Sequence, residues 1–140
     1  MSKRVSLKEA VKFHGHLGPY LVLGILAGEL AIQRLKCRKY FGLKVKAWGA
    51  TKKPKSCLID GLQLSSGATY GKGNINRLSA NRVKIEFIDC QNNRKLSLRI
   101  NDCIEKLLRE AKTHTQAEAL ARSLYRAPCV KIFKAFLYKV

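Results

Sequence analysis

The sequence predicts a single α+β domain, with N-terminal helices packed on a mostly antiparallel sheet. Three observations carry that expectation. The chain has 140 residues, 46% of them apolar, and three prolines, enough to bury a core without disulfides and too apolar to stay disordered. Its patterns run helix–helix–strand–helix–strand–strand–helix–helix, which is not the regular alternation of βαβ units. Two alternating runs, Arg82–Asp89 and Lys95–Ile100, flank the polar segment Cys90–Arg94 and read as an antiparallel hairpin.

Taken in order, Ser6 and Glu9 have the spacing of a capping box at the start of a short helix over Leu7–Phe13. Gly15 and Gly18 break that helix. Pro19 suits the first position of a second one, where its missing N–H costs nothing, and this helix is expected to reach Lys36 or Lys39. Its first half is apolar nearly all round, so its start is buried. Gly24 and Gly28 share a face and would admit another backbone, at ~1 kcal/mol of helix propensity each. Lys44–Ala50 alternates as a strand, Thr51–Lys55 is a cationic loop, and Ser56–Leu64 suits a short helix with Cys57 in its first turn. Ser65–Asn76 is glycine-rich and reads as irregular. After the hairpin, Asn101 or Asp102 caps a helix to Ala111, and Thr115 caps another over Gln116–Arg126, stopped by Pro128. In the tail, Val130–Val140, the first half is expected to be a strand.

Charge is the strongest oddity: 28 basic against nine acidic residues, net +19. Such a charge attracts polyanions and acidic partners, but the cations run from Lys3 to Lys139 and composition does not locate a binding face. No RNA-binding signature appears, so nucleic-acid recognition rests on charge alone. Five cysteines without a C-x-x-C pair exclude a disulfide framework and a zinc-finger pattern, and suit reduced thiols in a cytoplasmic protein. The polar, cationic start Ser2–Glu9 shows no secretory leader. The apolar run Leu17–Gly28 is twelve residues, short of the ~20 that span a bilayer.

Two of the three histidines, His14 and His16, stand one residue apart before the buried helix. Residues two apart on a helix diverge by about 200°, but Gly15 permits a turn that points both rings one way. The partial positive charge of the following helix start favours neutral imidazoles, competent as ligands or bases. The plainer alternative is two histidines satisfied at a helix junction. Cys57 in a first helical turn, near Lys53 and Lys55, is expected to have a lowered thiol pKa and to suit a soft divalent metal, zinc first; the alternative is a small buried hydrophobe. Asp60, one turn on, is a ligand, an orienting group or a surface charge. Gly67–Asn74 fails the Walker A pattern, since three residues separate Gly67 from Gly71 and Gly73 replaces the Ser/Thr. Its amides with Lys72 could form an anion nest, and Thr69 could offer a hydroxyl to the pocket. His114 reads as a surface residue.

Together, Phe13–Pro19 with its glycine-bearing helix, then Cys57, Asp60, Gly61 and Gln63, then Gly67, Thr69 and Gly71–Asn74, resemble the FmdE family of formylmethanofuran dehydrogenase subunits. The motifs lie within residues 7–100 of one domain. The resemblance implies an α+β core, a homodimer, and a metal held by His14, His16 and Cys57, with Thr69 and Lys72 lining the same pocket. Cys57, Lys72 and Asp60 are then the catalytic candidates. Two thiol positions of the family hold Gly18 and Ala68 here. Its C-terminal cysteine-rich zinc finger is also missing, since only Cys129 follows Cys103. The implied function is metal binding, either accessory to a molybdenum or tungsten enzyme or as a small metal-dependent enzyme acting on an anionic small molecule. The alternative is a non-catalytic basic module docking on nucleic acid or on an acidic partner protein.

Overall fold

A computed structural model describes residues 4–139; Ser2 and Lys3 of the polar start, with Met1, and Val140 of the tail lie outside the described residues. Helix α1 (Leu7–His14) starts where the Ser6 hydroxyl accepts the Glu9 amide at 3.0 Å. The Glu9 carboxylate meets the Ser6 hydroxyl, 3.1 Å away, so only one arm of the capping box forms. Gly15 ends the helix at φ +110°, where a side chain would be strained. Helix α2 (Pro19–Leu35) begins on Pro19 as expected and ends earlier than Lys36, because Lys36 itself takes a left-handed φ of +51°. Arg94 then donates to the free Leu35 carbonyl.

Helix α3 (Cys57–Ser66) crosses α2 with the two backbones in contact. A Cβ on Gly24 would lie 2.2 Å from the Leu58 carbonyl oxygen, and one on Gly61 would lie 2.1 Å from that of Leu21. The expected close approach is therefore met by glycine on both sides. Ser65 finishes the seam, its hydroxyl 3.0 Å from the Gly24 carbonyl and 2.9 Å from that of Gly61. Leu58 and Leu62 are fully buried beside it, each worth ~1.5–3 kcal/mol of transfer free energy.

Five strands form one sheet in the order β2-β1-β3-β4-β5: β1 (Leu43–Trp48), β2 (Ile75–Leu78), β3 (Lys84–Asp89), β4 (Arg94–Ile100) and β5 (Phe133–Lys139). All neighbours are antiparallel except β1 and β2, which bears out the expected architecture. The hairpin β3–β4 closes on Asp89, whose carboxylate accepts the Gln91 and Asn92 amides. Strand β2 corrects the reading of the glycine-rich segment as wholly irregular. It buries only Ile75, so alternation had too little length to show. The tail is corrected too: Cys129–Ile132 is a helical turn, α6, and the strand follows it. That turn is held by the Asn101 amide on the Ile132 carbonyl (2.8 Å) and the Asn101 side chain on that of Lys131 (2.9 Å), contacts 30 residues away in sequence. Between them, α4 (Asp102–Glu110) matches expectation, whereas α5 (His114–Arg126) starts earlier than expected, on a full capping box of Thr113 and Gln116.

One sheet face carries the core. Val45, Ala47, Ile85, Phe87, Leu96 and Leu98 pack there against α2, α3 and α5. A smaller cluster of Val5, Ala10, Leu21 and Ile25 seats α1 on α2. The apolar start of α2 is thus interior, and among the described residues no single helix is long and apolar enough to cross a membrane.

Candidate metal centre

The chain turns by 120° between α1 and α2, which brings the last residue of α1 onto the first turn of α3. There His14 Nδ1 lies 2.6 Å from Asp60 Oδ2. An ionised carboxylate only accepts, so Nδ1 carries the hydrogen and Nε2 presents its lone pair. That Nε2 is sealed from solvent and has no hydrogen-bond partner. A buried imidazole nitrogen without a partner is costly, and a ring oriented by a carboxylate in this way is the usual support of a metal ligand.

Gly15 does what its place suggested. The left-handed turn swings His16 back so that its ring centroid is 4.9 Å from that of His14, the planes tilted by 35°. Cys57 lies one turn before Asp60 on α3. Its expected low pKa is corrected: burial first, then the Asp60 carboxylate, raise the thiol pKa, and Lys53 opposes them without prevailing. The thiol is neutral in this arrangement. Among the described residues no three His, Cys, Asp or Glu side chains converge at metal-holding range.

Gln63, known from the sequence only as a motif position, links the site to the glycine loop. Its amide nitrogen is 3.4 Å from Asp60 Oδ1, and its oxygen accepts the Tyr70 amide at 3.2 Å. The loop's other amides are spent within the protein. Thr69 N–H goes to Asn74 Oδ1, Lys72 N–H to Thr69 Oγ1, and Gly73 N–H to the Thr69 and Tyr70 carbonyls. No anion nest of the expected kind is left open, and the Thr69 hydroxyl is an internal acceptor. The Lys72 ammonium lies 5.3 Å from the Phe41 ring centre and 5.7 Å from that of Tyr40. His114, read as a surface residue, is exposed but faces His16, Glu118 and Arg122 across a cavity of about 360 Å³. Nothing in the sequence could pair it with His16, because α5 reaches that place only by packing on α2.

The vacant family thiols are legible in space. A Cβ on Gly18 would sit 3.6 Å from His16 Nε2, so a cysteine there would carry its sulfur beside that ring. Ala68 is fully buried beneath the glycine loop.

A helical pair locked by glycines, a buried His–Asp couple at its mouth and one sheet beneath define an α+β domain organised around the histidine turn. The chain belongs to the FmdE family, described as "FmdE, Molybdenum formylmethanofuran dehydrogenase operon", which it matches over residues 13–135. Its fold is similar to the crystal structure of an FmdE-like protein of tungsten formylmethanofuran dehydrogenase from Syntrophus aciditrophicus, with TM-score 0.67 and 21% identity, over 100% of this chain and 78% of that one. No curated protein is significantly similar to it.

Proposed function

We infer that this chain is a metal-binding member of its family, with His14 Nε2 as the anchoring ligand, His16 as the second and Cys57 as the third. The observation that carries this is the buried, unpartnered Nε2 of a ring whose other nitrogen is held by Asp60. Two nitrogens and one sulfur suit zinc, and three protein ligands leave one position for water or substrate. Bound there, such an ion supplies Lewis-acid activation of a water or a carbonyl. The chain's own residues do the rest. Asp60 keeps the Nδ1 proton on His14 and so fixes the tautomer, while Gln63 steadies Asp60. Cys57 must give up its proton to become a ligand, so binding weakens as pH falls. The exposed His16 ring is the side from which a small anionic ligand enters. In this reading the domain serves a molybdenum or tungsten formylmethanofuran dehydrogenase or acts as a small metal-dependent enzyme.

Elemental analysis of purified protein, with zinc affinity measured by chelator competition, tests it. His14→Ala, His16→Ala and Cys57→Ala each lower stoichiometry, and Asp60→Asn weakens affinity by ~10–100-fold through loss of ring orientation. Full occupancy of unchanged affinity in both His14→Ala and Cys57→Ala would defeat the ligand set.

A further inference from the structure

The sheet has a second face that the metal site does not use. Strand register places three rows of side chains on it. Lys44, Ile88, Lys95 and Tyr138 lie side by side, then Lys46, Glu86, Ser97 and Phe136, then Trp48, Lys84, Arg99 and Lys134. None of these twelve joins the hydrophobic core, which lies wholly on the helical side. The face thus carries six cations and one carboxylate. Glu86 is already held by Lys84 at 3.2 Å and Lys95 at 3.7 Å. Lys44, Lys46, Arg99 and Lys134 are exposed and make no ion pair among the described residues.

Three aromatic rings stand among these charges. Phe136 is 55% and Tyr138 43% exposed, in an edge strand where neither has anything to pack on. Lys95 lies 5.1 Å from the centre of the Tyr138 ring and Lys84 5.1 Å from that of Trp48. Tyr138 is further held by its hydroxyl, 3.0 Å from Ser97 Oγ. The rings are therefore presented rather than buried, with fixed cations beside them.

Chemistry selects the occupant. A second copy would set two strongly cationic faces against each other and be repelled. A duplex would use the charges and leave the rings idle. A partner with a chain of phosphates and free planar bases uses both, the bases stacking on aromatic faces while the cations follow the backbone. We propose that this open sheet face binds single-stranded nucleic acid through Trp48, Phe136 and Tyr138 as stacking surfaces and Lys44, Lys46, Arg99 and Lys134 as phosphate contacts. It is independent of the metal ligands.

Fluorescence anisotropy of the whole protein with labelled single strands of about 16 nucleotides, RNA and DNA, tests this. Four phosphate contacts give a log–log salt slope of about −3, and Lys44→Ala with Lys46→Ala reduces its magnitude by about 1.4. Phe136→Ala weakens binding by ~5-fold or more with the slope unchanged. Trp48→Ala does the same; Phe136 is the safer position for stability because it is exposed at the sheet edge. Arg122→Glu with Arg126→Glu, on the helical side, is the control for nonspecific attraction. The proposal is overturned by any of three results: no binding at ~0.1 M salt, a control pair as damaging as the lysine pair, or Phe136→Ala binding as wild type does. Equal competition by polyglutamate would overturn it too, in favour of an acidic protein.

Discussion

Replacing Gly61 by alanine puts the helical seam and the metal site to one test. The substitution favours the helix by ~1 kcal/mol in intrinsic propensity. Against that, the new methyl would sit 2.1 Å from the Leu21 carbonyl oxygen, 2.7 Å from Ile25 N and 2.9 Å from Gly24 Cα. All three are backbone atoms and none can rotate away. Ordinary carbon contacts need about 3.5 Å, so α2 and α3 must part by roughly 1 Å. Overpacking of that kind costs ~1–3 kcal/mol and often more when backbone must move, so sterics outweigh propensity and the variant is less stable by ~1–2 kcal/mol or more. The His14–Asp60 bond bridges the neighbouring elements at 2.6 Å, and a shift of that size takes it out of hydrogen-bonding range. Urea unfolding reads the stability loss, and zinc affinity falls with it. Gly71→Ala is the control: its Cβ meets only Thr69 Oγ1, at 3.8 Å, and stability stays within ~0.5 kcal/mol. A Gly61→Ala protein as stable as the wild type would refute the reasoning.

Two further outcomes follow from the same geometry. Gly18→Cys restores a thiol beside His16 and tightens zinc binding, read by competition with a chromophoric chelator; unchanged affinity would place the metal away from that ring. Cys37, at the end of α2, has its thiol pKa pushed from 9.0 to about 11, by burial first and by the Asp89 charge second. The folded state holds that proton where the unfolded chain has released it, so stability falls as pH rises from about 9 to about 11. Cys37→Ala flattens that decline in urea midpoints measured across the window, and a parallel slope in both proteins would contradict it.

Much of the helical frame could be read along the chain because its signals are local. Ser6 and Glu9 mark a start, Pro19 suits only a first turn, and Gly15 and Gly67 stop helices through left-handed backbone. The β3–β4 hairpin shows for the same reason, since its two alternating runs adjoin. Strand β2 and the helical turn α6 did not show. One buries a single residue, and the other depends on hydrogen bonds to Asn101. Cys57 shows how local inference can mislead. The helix start and Lys53 argue for a thiolate, but burial and the Asp60 charge, both set by how α3 lies against α1, prevail.

The sequence by itself determined the α+β class, the family and the residue types of the site, because motif identity and period-two or helical spacing are properties of neighbouring residues. Tertiary structure alone decided which histidine nitrogen is buried, that Asp60 orients His14, and that Lys72 lies over Tyr40 and Phe41. It also gathered scattered lysines and aromatic residues onto one open sheet face. Those outcomes depend on distances between segments dozens of residues apart, and only packing sets such distances.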